Sequence, residues 1–168
     1  MSRKKAIANL TPAPISADHL LAELRELILS TRAQIAQTVN VGLTALYWQI
    51  GDRIRREILQ EKRAEYGAEI VSAAGRQLGA EFGRGFAEKN LRRMIQFAEV
   101  FPDQQIVVSL IRQLTWTHFI ALIPLKDPLQ RDFYAEMCRL ERWSVRVLRS
   151  RIDSMLYERT AIDLRISN

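Results

Sequence analysis

The sequence predicts an all-α protein: a long N-terminal amphipathic helix pair followed by a compact multi-helix domain with a helix-turn-helix-like unit. Three observations carry this. Apolar residues recur at three- and four-residue spacing along most of the chain. Capping residues and prolines stand at the borders of those stretches. The 168 residues include only 7 glycines and 5 prolines, too few for the many turns of an all-β fold. Hydrophobic residues make up 48% and charged residues 26%, which suits one globular domain with a real core rather than a disordered chain.

Residues 1–15 read as a flexible arm, with Pro12 and Pro14 limiting where the first helix can begin. Residues 16–62 read as a long helical hairpin or one kinked helix, a possible dimerisation element. Ser16 or Asp18 would cap it. Leu20, Leu21, Leu24, Ile28, Ile35 and Val39 form its first apolar stripe. Leu43, Leu46, Tyr47, Ile50, Ile54 and Ile58 form the second, with a kink or break expected near Gly42.

Residues 63–162 read as the helix-turn-helix-like domain. A helix from about 68 to 77 presents Ile70, Val71 and Ala74. Gly79, Gly83 and Gly85 then punctuate the chain. A helix from about 87 to 101 presents Leu91, Met94, Ile95, Ala98 and Phe101, and stops at Pro102. Its other face carries Lys89, Asn90, Arg92, Arg93 and Gln96. A helix, a turn and a second helix with a basic face follow the local grammar of helix-turn-helix DNA binders. Further helices are expected over 105–113, from Thr115 or Thr117 to Ile123, from Asp127–Pro128 onward, and from Ser144 through Leu156. Residues 163–168 form a tail without a pattern.

The net charge is +6, from 25 Lys and Arg against 19 Asp and Glu, and twenty of the 25 are arginine. Arginine suits phosphates and guanine edges. Two basic clusters stand out. Residues 76–93 hold Arg76, Arg84, Lys89, Arg92 and Arg93. Residues 139–151 hold Arg139, Arg142, Arg146, Arg149 and Arg151. The bland alternative is a solvated face with intrahelical ion pairs.

Most catalytic chemistry lacks its residues. There is no GxxxxGK[ST], HExxH, CxxC or GxSxG. One cysteine, Cys138, and two histidines, His19 and His118, exclude a disulfide framework and a cysteine-based zinc site. GRGFAEK lacks the strand that a dinucleotide site needs. Asp52 and Glu57 read as helix ion pairs, His118 as packed or capping, and Cys138, Trp48, Trp116 and Trp143 as packing residues. No catalytic residue, metal or cofactor is expected. No secretory signal or membrane span is visible, so a cytoplasmic protein is the default.

The stretches LYWQIGDRI (46–54), YGAEIVSAAGRQL (66–78), GRGFAEKNLRRMIQFAEVFP (83–102), LTWTHFIALIPLKDPLQRDFYAEMC (114–138) and ERWSVRVLRSRIDSMLYERTAI (141–162) resemble the conserved N-terminal domain of the YhcG family. The resemblance covers residues 18–162. In that family the domain precedes a predicted PD-(D/E)XK nuclease domain and is itself predicted to bind DNA. No position here matches the nuclease residues, so the resemblance implies a non-catalytic targeting or assembly module. EKNLRRMIQFAEVFP, WTHFIALIPLKDP and WSVRVLR are also similar, in order, to the helix-turn-helix core of ParB-type partition proteins, with Thr117 where those have glycine.

The resulting expectation is DNA binding through Arg76, Arg84, Lys89, Asn90, Arg92, Arg93, Arg146 and Arg149. Lys89, Asn90, Arg92 and Arg93 would approach the major groove, and Arg84, Arg146 and Arg149 would hold phosphates. A homo-oligomer is expected, with a dimer favoured. The rival reading is a protein-interaction module that docks a nuclease domain or partner subunit without touching DNA.

Overall fold

The computed structural model describes residues 17–60 and 64–166, and every described element is helical. The expected arm at 1–15 and the cap at Ser16 lie outside them. The order is α1 (Ala17–Gln60), α2 (Ala64–Phe82), a 3-10 turn (Arg84–Phe86), α3 (Glu88–Val100), α4 (Gln104–Leu110), α5 (Trp116–Leu122), α6 (Pro128–Glu141), α7 (Val145–Asp153) and α8 (Leu156–Ile166). Residues 16–62, read as a hairpin or one kinked helix, form a single helix, α1, over their described part. Contacts divide the chain into two units, residues 1–36 and 37–168.

In the first unit, the described part is a helix whose side chains from 21 to 36 are all exposed. The second unit holds the core. Residues 37–60 of α1 enter it through Thr44, Trp48 and Gly51. Helix α1 is continuous through Gly42, where a break was expected. A Cβ at Gly42 would meet nothing within 4 Å, so this glycine answers no packing demand.

Two apolar clusters form the second unit. One gathers Val71, Leu91 and Met94 with Tyr47, Ile50, Ile54, Ile58 and Phe86 packed around them. The larger gathers Trp48, Phe97, Phe101, Leu114, Phe119, Leu122, Tyr134 and Leu148 among others. Helix α3 serves both, with Leu91 and Met94 in the first and Phe97 and Ala98 in the second. Phe97 is the hub of an aromatic group, with ring centroids 4.5 Å from Phe119, 5.5 Å from Trp116 and 5.8 Å from Phe101. Such tilted and edge-on pairs add to the burial of apolar area. The Trp48 indole N–H donates to the Phe101 carbonyl at 2.8 Å, satisfying the one polar atom that burial of the ring would orphan.

Local capping chemistry sets most borders. Asp103 caps α4, Asp127 caps α6 ahead of Pro128, and Ser144 caps α7, each accepting a backbone N–H of the first turn. Thr115 opens α5, where His118 Nδ1 accepts the Thr115 N–H at 3.0 Å.

Two expectations are corrected. Gly79 does not punctuate the chain: α2 runs on to Phe82, and the left-handed Gly83 (φ 97°) ends it. Gly75 instead allows close approach: a Cβ there would stand 2.6 Å from the Glu88 backbone, whereas one at Gly79 would make ordinary contact with Ala87 at 3.5 Å. The last expected helix is two helices, because Met155 adopts φ 55° and redirects the chain before α8. That helix extends through Ile166, where no pattern had been read. The Tyr134 hydroxyl pins the junction, accepting the Tyr157 N–H at 3.1 Å and donating to the Arg151 carbonyl at 3.3 Å.

Candidate nucleic-acid interface

Six of the eight expected contact residues stand on one structural unit, α2, the 3-10 turn and α3. Arg76 lies on α2, Arg84 opens the turn, and Lys89, Asn90, Arg92 and Arg93 occupy the first turns of α3. Arg146 and Arg149 stand on α7. Helix α3 packs on α2 and the turn, whereas α7 packs on α5, α6 and α8. The intermediary is α5, whose Trp116 and Phe119 rings meet Phe97 of α3.

The six residues do not share one role. Arg92 lies against Glu88, with its Nε at 3.0 Å and an Nη at 2.6 Å from one carboxylate oxygen. That hydrogen bond is the main reason the Glu88 carboxyl is held below the usual carboxylate range; desolvation opposes it, and Ser72 and the Arg76 charge reinforce it. Arg76 also donates to Ser72 at 3.2 Å. Ser72, Arg76, Glu88 and Arg92 thus form a polar clasp between α2 and α3.

Asn90 and Arg93 face the turn rather than open solvent. The Asn90 amide N–H donates to the Arg84 carbonyl at 3.3 Å, and its oxygen accepts from Arg93 at 3.3 Å. Both residues are half-buried. The solvent-facing stripe of α3 is instead Lys89, Arg92, Gln96 and Glu99, spaced three, four and three residues apart. Gln96 was absent from the expected contact set, although the same helical spacing in the sequence points to it.

Among the eight expected contact residues, four have side chains that make neither an ion pair nor a hydrogen bond to a described residue: Arg84, Lys89, Arg146 and Arg149. All four are exposed. Several other cations follow the bland reading of the charge. Arg53 pairs with Glu57 at 2.6 Å and Arg56 with Asp52 at 2.8 Å, which settles both carboxylates as helix ion pairs. Arg139 pairs with Glu136, and Arg151 lies over the Trp143 ring at 5.7 Å.

Arg146 and Arg149 line an open cleft of about 760 Å³ with Thr117, Val145, Ser150, Asp153 and Ser154. His118 fixes its geometry. Buried beside Thr117, it donates from Nε2 to the Trp143 carbonyl at 2.8 Å, just ahead of the Ser144 cap of α7. A carbonyl only accepts, so Nε2 carries the proton and Nδ1 is left to accept the Thr115 N–H. One imidazole therefore ties the start of α5 to the start of α7.

A protein-family profile described as the DUF1016 N-terminal domain matches residues 23–159. The chain belongs to this family. The DUF1016 N-terminal domain here is 30% identical over 166 residues to the Escherichia coli K12 protein named "Putative nuclease YhcG". That alignment covers 81% of this chain and 44% of the relative, so the chain spans less than half of the relative's length. No solved structure matches it. Among its described residues, no group of three or more His, Cys, Asp or Glu side chains could hold a metal ion, and no helix is long and apolar enough to cross a membrane.

Cys138, the single cysteine, is buried in the larger cluster, and burial pushes its thiol up to about 12. Reaction needs the thiolate and access, and Cys138 has neither. The folded domain should therefore leave an aromatic disulfide reagent uncoloured at neutral pH and consume one equivalent only after denaturant is added. Prompt reaction of the native protein would contradict this packing.

Proposed function

We propose that this DUF1016 N-terminal domain is a non-catalytic DNA-binding module that targets or assembles a nuclease. The reading has the domain at work in the cytoplasm. The observation that carries it is the set of exposed, unpaired cations Arg84, Lys89, Arg146 and Arg149 on a chain of net charge +6. A cation already facing a carboxylate must break that pair to reach a phosphate; these four need not. Lys89 and Arg84 stand at the start of α3 and in the turn before it, where a helix-turn-helix meets the groove and backbone. Arg92, Gln96 and the remaining capacity of Asn90 and Arg93 would read base edges, and Arg146 and Arg149 would hold phosphates beside the cleft hydroxyls.

The test is a titration of labelled duplex DNA at several salt concentrations. Four phosphate contacts predict a log–log slope of about −3.6. Absence of binding at low salt, or a slope near zero, would sink the reading. The rival, a protein-interaction module, finds support in the exposed apolar side chains of α1, including Leu21, Leu24, Ile28 and Ile35. The two readings use different surfaces and are compatible.

A further inference from the structure

We propose that the N-terminal half of α1 is a homodimerisation helix, pairing with a second copy of this chain as a parallel two-stranded coiled coil seamed through Leu21, Leu24, Ile28 and Ile35. It rests on the assembly part of the reading above and is independent of DNA binding.

The first observation is exposure. Every side chain from 21 to 39 is exposed, and Leu24, Ile28 and Ile35 are 47%, 53% and 59% accessible. A lone helix of this length is marginal in water, and most helices in proteins owe their stability to packing of an apolar face. This one is α-helical and rich in Leu and Ile, yet its described part buries no apolar face of its own.

The second observation is register. Leu21, Ile28 and Ile35 fall seven residues apart at a positions, with Leu24, Thr31 and Thr38 at the d positions between them. Ile28 and Ile35 are β-branched a residues and Leu24 is a leucine at d, the combination that favours two strands in a parallel coiled coil. The threonines weaken the later heptads, so the pairing is reversible and depends on concentration.

Charge selects the occupant. Residues 21–36 carry Arg25 and Arg32 against Glu23 and Glu26, a balance of zero in a chain of net charge +6. A second copy meets no net repulsion there, and no oppositely charged partner is called for. In a parallel pair Arg32, at e, faces Leu27, at g, of the other strand. Its aliphatic stem can cover that leucine while the guanidinium stays in water. The size is adequate too. Eighteen residues rise about 27 Å, and two such helices bury on the order of 1,000 Å², the threshold for a biological interface.

The experiment is solution mass by light scattering or sedimentation from low to high micromolar protein. The whole chain is expected to approach twice its 19.4 kDa mass. The double variant Leu24→Glu/Ile28→Glu is expected at the single-chain mass. Ala33→Glu, at an outward f position, is expected to behave as wild type. All three tryptophans lie in the second unit, so their near-ultraviolet signal reports whether that unit is still folded in each variant. A single-chain mass for the wild type throughout the range overturns the proposal and leaves this face to another segment of the chain or a different partner. A double variant that keeps the dimer mass overturns it as well. Loss of DNA binding with dimerisation intact would count against the DNA reading alone.

Discussion

Gly51→Ala should destabilise this domain by about 3–5 kcal/mol, the range of severe core overpacking and backbone clash. A Cβ at Gly51 would stand 1.8 Å from the Met94 carbonyl oxygen and 2.3 Å from its carbon. Those are main-chain atoms in the middle of α3, so no side chain can rotate away. Relief requires α1 and α3 to separate where Trp48, Leu91 and Met94 are buried. For a chain of this size the melting temperature should fall by roughly 10–15 °C. Gly42→Ala, on the same helix, has the opposite expectation. With open space around its Cβ, it removes the helix-interior penalty of glycine and should add about 0.5–1 kcal/mol. Thermal unfolding followed by far-ultraviolet circular dichroism compares the two directly. If Gly51→Ala melts within a degree or two of wild type, the close crossing of α1 and α3 is wrong.

The second large effect concerns charge. Reversing both Arg84 and Lys89 to Glu should lower duplex affinity by at least about a hundredfold at low salt and make the salt slope shallower by about two. Neither side chain makes an ion pair among the described residues, and the hydrogen bonds at Arg84 use its carbonyl. The substitutions therefore change the field of the surface without dismantling it. Glu88→Gln should act the other way. It releases Arg92 from its carboxylate and should tighten binding several-fold, with a detectable loss of thermal stability from the loosened clasp. Acidification provides the same release. Because the folded-state pKa of Glu88 is lowered, chiefly by the Arg92 hydrogen bond, the clasp is fully formed above the usual carboxylate range and is lost as pH falls through the lowered value. Unchanged affinity in the reversal variant would remove Arg84 and Lys89 from any DNA contact. Weaker binding by Glu88→Gln would show that the clasp positions α3 more than it masks Arg92.

What the sequence revealed was local. Thr115, Asp127 and Ser144 act within one helical turn of themselves, so the borders they set could be read from neighbouring residues; Asp103, which caps α4 in the same way, was not singled out. The roles of His118 and Cys138 were also legible, since a histidine three residues after Thr115 fits a first-turn cap and a cysteine beside Met137 on an apolar stripe fits a core. Two glycines gave no signal because their reason is remote. Gly51 answers to Met94 and Gly75 to Glu88, partners forty-three and thirteen residues away. The start of α8 was missed because Met155, an ordinary helix former, takes a left-handed conformation that nothing in its own side chain demands. In the candidate interface, spacing placed Lys89, Arg92 and Arg93 on a polar side. Which of them faces water depended on the turn: Asn90 closes it by bonding the Arg84 carbonyl and draws Arg93 inward. Arg131 was unreadable for the same reason. It is buried, bonded to the Leu125 carbonyl and set over the Phe101 ring at 5.8 Å, a setting assembled from three separate segments.

Helix α3 belongs to both apolar clusters, and this divides its positions into two classes with different freedom to change over evolutionary time. A substitution at Leu91, Met94, Phe97 or Ala98 disturbs the packing of a cluster, and through the shared helix it strains the other. The exposed residues 89, 96 and 99 are members of neither cluster and can drift from one relative to the next without loss of the fold, while a change at 92 gives up its bond to Glu88. Relatives with the same scaffold can therefore diverge in what they recognise by exchanging a few side chains along a single stripe.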